Sequence, residues 1–211
     1  MWFRGLAILG LAAGCGLGQT DLGKLLKGVE ARYNRARTMQ LAFEQTQSGM
    51  GQIARTESGT LLIAKPGRMR WDYSKPAGKF FLTDGKLAYY YSPNSRQVMR
   101  SKIKDSEDLR APLAFLIGQL DFQRDFKEFR TTPEGANTYI IGTPKSPRAP
   151  YTQVDFLVTP DYRIELLKVT GQDGSVTRYR LSQEKANPVL GASTFAFVKP
   201  DGAELVDEDP E

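Results

Sequence analysis

The chain contains no histidine and one cysteine, Cys15. Without histidine, histidine-based triads and zinc sites with histidine ligands are excluded. A lone cysteine excludes an intrachain disulfide. It also lies so close to the start that removal of an export signal would take a cysteine nucleophile with it. No apolar run approaches the ~20 residues of a membrane-spanning helix. No phosphate-cradling loop is present either, since Gly49-Met50-Gly51 reads as a hairpin tip. Asp72, Asp84, Asp155 and Glu165 are the carboxylates placed to form an acid–base pair, but Asp84 belongs to a turn and the others fit solvent faces. No enzyme, cofactor or metal site is expected. The formal charge of +5 over 211 residues is dispersed. Its densest stretch, Lys65 to Arg70, alternates with apolar residues and reads as a solvated strand face, so no nucleic-acid partner is expected. Apolar residues make up 40% and charged residues 25%, as in ordinary globular domains.

The N-terminus has the form of an export signal. Met1-Trp2-Phe3-Arg4 is a short basic start, Gly5 to Gly14 is an apolar core, and small residues lead to a cleavage point near Gly18. Residues 1–18 are therefore read as a signal peptide. Ala12-Ala13-Gly14-Cys15 resembles a lipobox with alanine where leucine is usual. If that box is used, Cys15 becomes an acylated N-terminus; otherwise it is discarded with the signal.

Beyond the signal, Leu22, Leu25, Leu26, Val29 and Tyr33 recur at helical spacing, which predicts a helix over Asp21 to Thr38. From Gln40 the period changes to two. Strands are predicted around Gln40–Thr46, Thr60–Lys65, Gly67–Tyr73, Lys79–Thr83, Leu87–Tyr91 and Gln97–Arg100, with Asp84-Gly85 and Ser92-Pro93-Asn94 as turns. Ala111 to Leu120 is continuously apolar and reads as a short helix started by Pro112. Further strands are predicted from Phe126 to Glu184, then a short one at Phe195-Ala196-Phe197. Residues 204–211 form an acidic tail expected to fray. The fold class is α+β: about ten antiparallel strands, one leading helix and one or two short helices midway. A sheet that long must curl.

Several motifs, in order, resemble the outer-membrane lipoprotein carrier family, LolA. They are Phe43-x-Gln45, then Gly59 through Lys65-Pro66 to Trp71-x-Tyr73, then Thr83-Asp84-Gly85-Lys86, Tyr89-x-Tyr91-x-Pro93, and Thr194 to Phe197 followed by Pro200-x-Gly202. The resemblance covers roughly residues 21 to 203 and makes residues 19–203 one carrier domain. It implies an unclosed β-barrel with helices as a lid over a hydrophobic cavity. It also implies acylated lipoproteins as cargo, an inner-membrane lipoprotein-releasing ABC transporter as donor and an outer-membrane lipoprotein receptor as acceptor. A monomer in the periplasm is expected. The alternative is a membrane-anchored acceptor of the same fold, LolB, acylated at Cys15.

The residues expected to line the cavity are Leu25, Phe43, Leu61, Met69, Trp71, Leu82, Tyr89, Tyr91, Leu113, Phe115 and Leu116. Alternation along the strands places Met69, Trp71, Leu82 and Tyr89 on one shared inner face. Helical spacing puts Leu113 and Leu116 together. The resemblance further implies a lid latch at Lys65, where the family carries an arginine that bonds backbone carbonyls of the lid. A lysine offers a compact charge instead of a planar fork of five donors, so a weaker latch is expected.

Overall fold

The computed structural model describes residues 19–49, 54–103 and 119–207. Helix α1 (Gln19–Arg35) leads into β1 (Thr38–Ser48). A meander follows through β2 (Arg55–Ala64), β3 (Arg68–Lys75), β4 (Ala77–Asp84), β5 (Leu87–Ser92) and β6 (Gln97–Lys102). After the short helix α2 (Phe122–Asp125) come β7 (Phe126–Glu134), β8 (Asn137–Pro144), β9 (Tyr151–Val158), β10 (Ile164–Gly171), β11 (Val176–Ala186) and β12 (Glu204–Asp207). All twelve strands form one sheet, in the order β12-β6-β5-β4-β3-β2-β1-β11-β10-β9-β8-β7. Strand β1 joins the two meanders by pairing with both β2 and β11. The terminal strands β7 and β12 do not pair with each other. The sheet is thus an unclosed barrel with α1 as a lid.

The local code is direct. On α1 the apolar residues at i, i+3, i+4 and i+7 spacing point to the sheet, and Leu26, Val29 and Tyr33 are buried. On β1 the buried residues Met39, Leu41 and Phe43 alternate with less buried ones, as a two-residue period requires. At the β4–β5 turn Asp84 Oδ1 accepts hydrogen bonds from the backbone N–H groups of Lys86 and Leu87, both at 2.8 Å. Gly85 there has a φ of 102°, which only a residue lacking Cβ adopts readily.

Three elements differ from the sequence expectation. The helix ends at Arg35, because Thr38 already pairs with Ala64 in the sheet. Phe195 closes a short 3-10 turn, Ala192–Phe195, instead of entering a strand. Glu204–Asp207, expected as a frayed tail, forms β12 parallel to β6. The open backbone edge of β6 supplies its partner, and the Arg100 guanidinium clasps both carboxylate oxygens of Asp207, at 2.5 and 2.7 Å. The predicted helix over Ala111 to Leu120 lies outside the described residues except for its last two.

The sheet buries apolar side chains on both faces. The inner face, under α1, gathers Met39, Leu41, Phe43, Leu61, Trp71 and the Phe122–Phe126–Phe156 group with Leu26, Val29 and Tyr33. The outer face of β3 to β6 gathers Leu82, Tyr89 and Val98 beneath the segment carrying Phe195 and Ala203. Among the described residues no helix is long and apolar enough to cross a membrane.

Candidate functional site

The inner face supplies the candidate site. Its floor is aromatic. The Phe43 ring meets Trp71 edge-on at 4.6 Å and Tyr73 at 5.0 Å, while Trp71 lies 5.7 Å from Tyr179. The Trp71 indole N–H, buried with the ring, donates to the Met69 sulfur at 2.8 Å. Edge-to-face rings with a satisfied N–H make a floor without unpaired donors.

The roof is α1, and its polar attachments are concentrated at one end. Arg32 donates to Glu184 Oε1 through Nε and Nη2, at 2.9 and 2.6 Å. The Tyr33 hydroxyl donates to Glu184 Oε2 at 3.0 Å and accepts from the backbone N–H of Ile164 at 2.9 Å. Burial first, then the Glu184 charge, pushes the Tyr33 phenol far above its ordinary pKa, so it stays a neutral donor. Asn34 grips the backbone of Leu120 twice, donating to its carbonyl and accepting from its N–H, both at 2.8 Å. Glu30 accepts from the N–H of Phe122 at 2.9 Å. Among the described residues, every hydrogen bond from an α1 side chain comes from Glu30 to Asn34; the earlier turns rest on the sheet through leucines.

The structure brings Leu25, Phe43, Leu61, Met69 and Trp71 together in the inner cluster. Leu82, Tyr89 and Tyr91 are a correction: they lie on the outer face, where Tyr89 stacks on Phe197 at 4.1 Å. The residues opposite Trp71 are instead Phe81 and, next across, Tyr90, and both belong to the inner side. Directly paired residues share a face, so the register was the missing signal. Leu113, Phe115, Leu116 and Cys15 lie outside the described residues.

Lys65 sits where β2 ends beneath the C-terminal end of α1. Its Nζ donates to the Tyr33 carbonyl at 2.9 Å, and its backbone N–H donates to the Arg37 carbonyl at 2.8 Å. Burial lowers the pKa of its ammonium. The carboxylates need one correction too. Asp155, expected on a solvent face, is buried on the outer side of the sheet. It accepts from Gln153 Nε2 at 2.7 Å, Lys168 Nζ at 2.8 Å and the Tyr139 hydroxyl at 3.2 Å. Its oxygens are thus taken up by structural partners. The same burial and the Asp155 charge push the Tyr139 phenol up to about 12.

Against this geometry stand the comparisons with known proteins. The family model for "Outer membrane lipoprotein carrier protein LolA" matches residues 34–198. An outer-membrane lipoprotein carrier protein of Bordetella avium is 32% identical over 166 residues, covering 76% of this chain and 78% of its own. One of Chromobacterium violaceum is 27% identical over 198 residues, covering 94% and 95%. Among solved structures, an uncharacterized conserved protein from Thermus thermophilus superposes with a TM-score of 0.53 at 14% identity, over 89% of this chain and 99% of that one. That last likeness is one of fold alone.

Proposed function

Since the chain belongs to the LolA family of outer-membrane lipoprotein carriers, we propose that it shelters lipoprotein acyl chains on its inner face, between the Phe43–Trp71 floor and α1. The cargo is received in the periplasm from an inner-membrane lipoprotein-releasing ABC transporter and passed to an outer-membrane receptor. No chemical step is required of the carrier. The observation that carries this reading is the uneven attachment of α1. Its last turns are bound by Arg32, Tyr33 and Asn34, while among the described residues Leu22, Leu25, Leu26 and Val29 meet the apolar floor by packing. A swing about the bound end uncovers the floor.

Exchange explains how such a carrier lets go. A three-chain lipid anchor has roughly forty methylenes, each worth ~0.8 kcal/mol on burial, which sums to ~30 kcal/mol. That exceeds the ~20 kcal/mol at which non-covalent affinity saturates, so full burial against an empty cavity would be irreversible. Here the acyl chains displace leucines that were already buried, and the net gain is only the difference. Lys65 acts as the latch that sets how often the lid opens.

The test is mass spectrometry of a lipid extract from the purified protein, paired with release of an acylated lipoprotein from membranes into solution. Bound acyl species and release are the expected results. A lipid-free protein that leaves the lipoprotein on the membrane would defeat the proposal. N-terminal mass analysis separates the soluble carrier, starting near Gln19, from the anchored acceptor acylated at Cys15.

A further inference from the structure

The inner face is not apolar along its whole length. On β1 the inward residues run Leu41, Phe43, then Gln45 and Gln47, and on β2 the paired run is Leu61, Gly59, then Glu57 and Arg55. On β3, Trp71 and Tyr73 are followed, past a bulge, by Lys75, which borders the same end, and on β4 Phe81 gives way to Lys79. All four strands change from apolar to polar at the same level, at the end where β1 meets β2 and β3 turns into β4. A cavity of about 520 Å³ opens there, bordered by Gln45, Arg55, Glu57, Lys75, Lys79 and Tyr90 among others. Tyr90 also packs against the inner apolar cluster, so the cavity continues the floor. Its size is within the range of small-molecule sites.

A charge stands at the boundary itself. The Lys79 Nζ bonds Glu57 Oε2 at 2.6 Å, with the two side chains only 12% and 21% exposed. It lies 4.3 Å from the centre of the Tyr73 ring and 5.6 Å from that of Tyr90. An ammonium has three donors. Glu57 and the rings hold this one in place at the level where the apolar stretch ends. The Tyr73 hydroxyl donates to Gln45 Oε1 at 3.3 Å, which holds a side-chain amide at the same level. Arg55 and Lys75, both exposed, add rim charge, giving three cations against one carboxylate around the opening.

We propose that this cavity is a head-group subsite for an acyl amphiphile. The chains lie on the apolar stretch, and the head sits among Gln45, Lys79, Arg55 and Lys75. Those groups offer donors and net positive charge, so the subsite takes heads rich in acceptor oxygens, uncharged or anionic, and disfavours cationic ones. The inference deepens the carrier reading above and rests on it.

Three amphiphiles with the same twelve-carbon chain test it, each displacing a neutral solvatochromic dye below its micelle concentration. They are monolauroylglycerol, dodecyl phosphate and dodecyltrimethylammonium. At ~6 Å through water one unit charge changes the affinity of another about threefold at low ionic strength. With a net excess of two cations, an anionic head gains and a cationic head loses about tenfold against a neutral one, so dodecyl phosphate should displace the dye at roughly a hundredfold lower concentration than dodecyltrimethylammonium, with monolauroylglycerol between the two. Arg55→Glu with Lys75→Glu, two exposed positions that leave the fold intact, should reverse the order of the charged pair. Moderate salt should shrink the preference. Equal displacement by all three heads in the wild type, or an order unchanged in the double variant, would overturn the subsite while leaving the carrier reading in place. No displacement even by monolauroylglycerol would overturn both.

Discussion

One sheet carries two buried apolar patches, and they are covered in opposite ways. The inner patch lies under a helix whose polar ties, among the described residues, are on its last turns. The outer patch lies under an irregular strap, residues 187–203, tied along its length. At its start Asn187 N–H donates to the Thr38 carbonyl at 2.8 Å, and Asn187 Oδ1 accepts from the N–H of Arg37 at 2.9 Å. Midway, Arg70 Nη1 reaches the Thr194 carbonyl at 3.3 Å and Phe197 stacks on Tyr89 with planes 5° apart. At its end β12 pairs with β6. A cover tied at one end can swing; a cover tied at both ends and the middle cannot. On the proposed reading the inner burial is exchangeable and the outer burial permanent, although both patches are rich in aromatic side chains.

The sharpest way to break this contrast is to remove one large side chain from each patch. Trp71→Ala and Phe195→Ala both empty buried volume and should each cost ~3–5 kcal/mol of stability, read by urea unfolding. Only Trp71→Ala should also abolish acyl-chain binding per folded molecule. Should Phe195→Ala lose binding to the same degree, the two patches act as one and the contrast is void.

The next effect concerns the ties. Glu184→Ala removes the shared acceptor of Arg32 and Tyr33, leaving a buried hydroxyl and a half-buried guanidinium without it, at a cost of ~2–3 kcal/mol. Hydrogen exchange in α1 should rise at least tenfold, because this tie anchors two consecutive residues of its last turn to the sheet. Asn187→Ala cuts one tie of the strap and should cost only ~1 kcal/mol, with exchange in β12 unchanged. A strap that frays throughout after the single cut would show that its ties are not independent.

The sequence disclosed the helix, the meander and the aromatic floor, because each rests on a period within one segment. Leu22 to Tyr33, and Leu41 with Phe43, are read this way without reference to anything distant. The face of Leu82 and Tyr89 was not legible, and the reason is a bulge. Counted back from the Ser74–Ala77 pair at the β3–β4 turn, Met69 would face Leu82. The irregularity between Asp72 and Ser74 shifts the register by one, so that Met69 faces Thr83 and Trp71 faces Phe81. A slip of one residue turns every following side chain over. The Glu184 tie was hidden for a different reason: its partners Arg32 and Tyr33 are about 150 residues away in the chain. The polar end of the inner face was written in Gln45, Glu57 and Lys79, but only the pairing of β1 with β2, and the approach of Lys79 to Tyr73, shows that they share a level.

The smallest expected effect sharpens the account of the swinging cover. Lys65 gives the C-terminal end of α1 one side-chain hydrogen bond, to the Tyr33 carbonyl. Its backbone bond to the Arg37 carbonyl survives any substitution other than proline, so the turn itself stays in place. The ammonium is about half-buried and its bond is charge-assisted, which after discounting for solvent screening is worth ~1 kcal/mol. Arginine in the same place is a planar fork that can bond two neighbouring carbonyls with fixed geometry. Lys65→Arg should therefore favour the closed lid by about one further bond and slow cargo transfer to an acceptor roughly fivefold. Lys65→Ala should change the rate by less than about threefold, because the Arg32–Glu184–Tyr33 tie still holds the same end. Transfer rates for the three proteins, measured side by side with one lipoprotein and one acceptor, decide the matter. If Lys65→Arg matches the wild type while Lys65→Ala is severely impaired, lysine already performs the full latch and the weak-latch account of this chain is wrong.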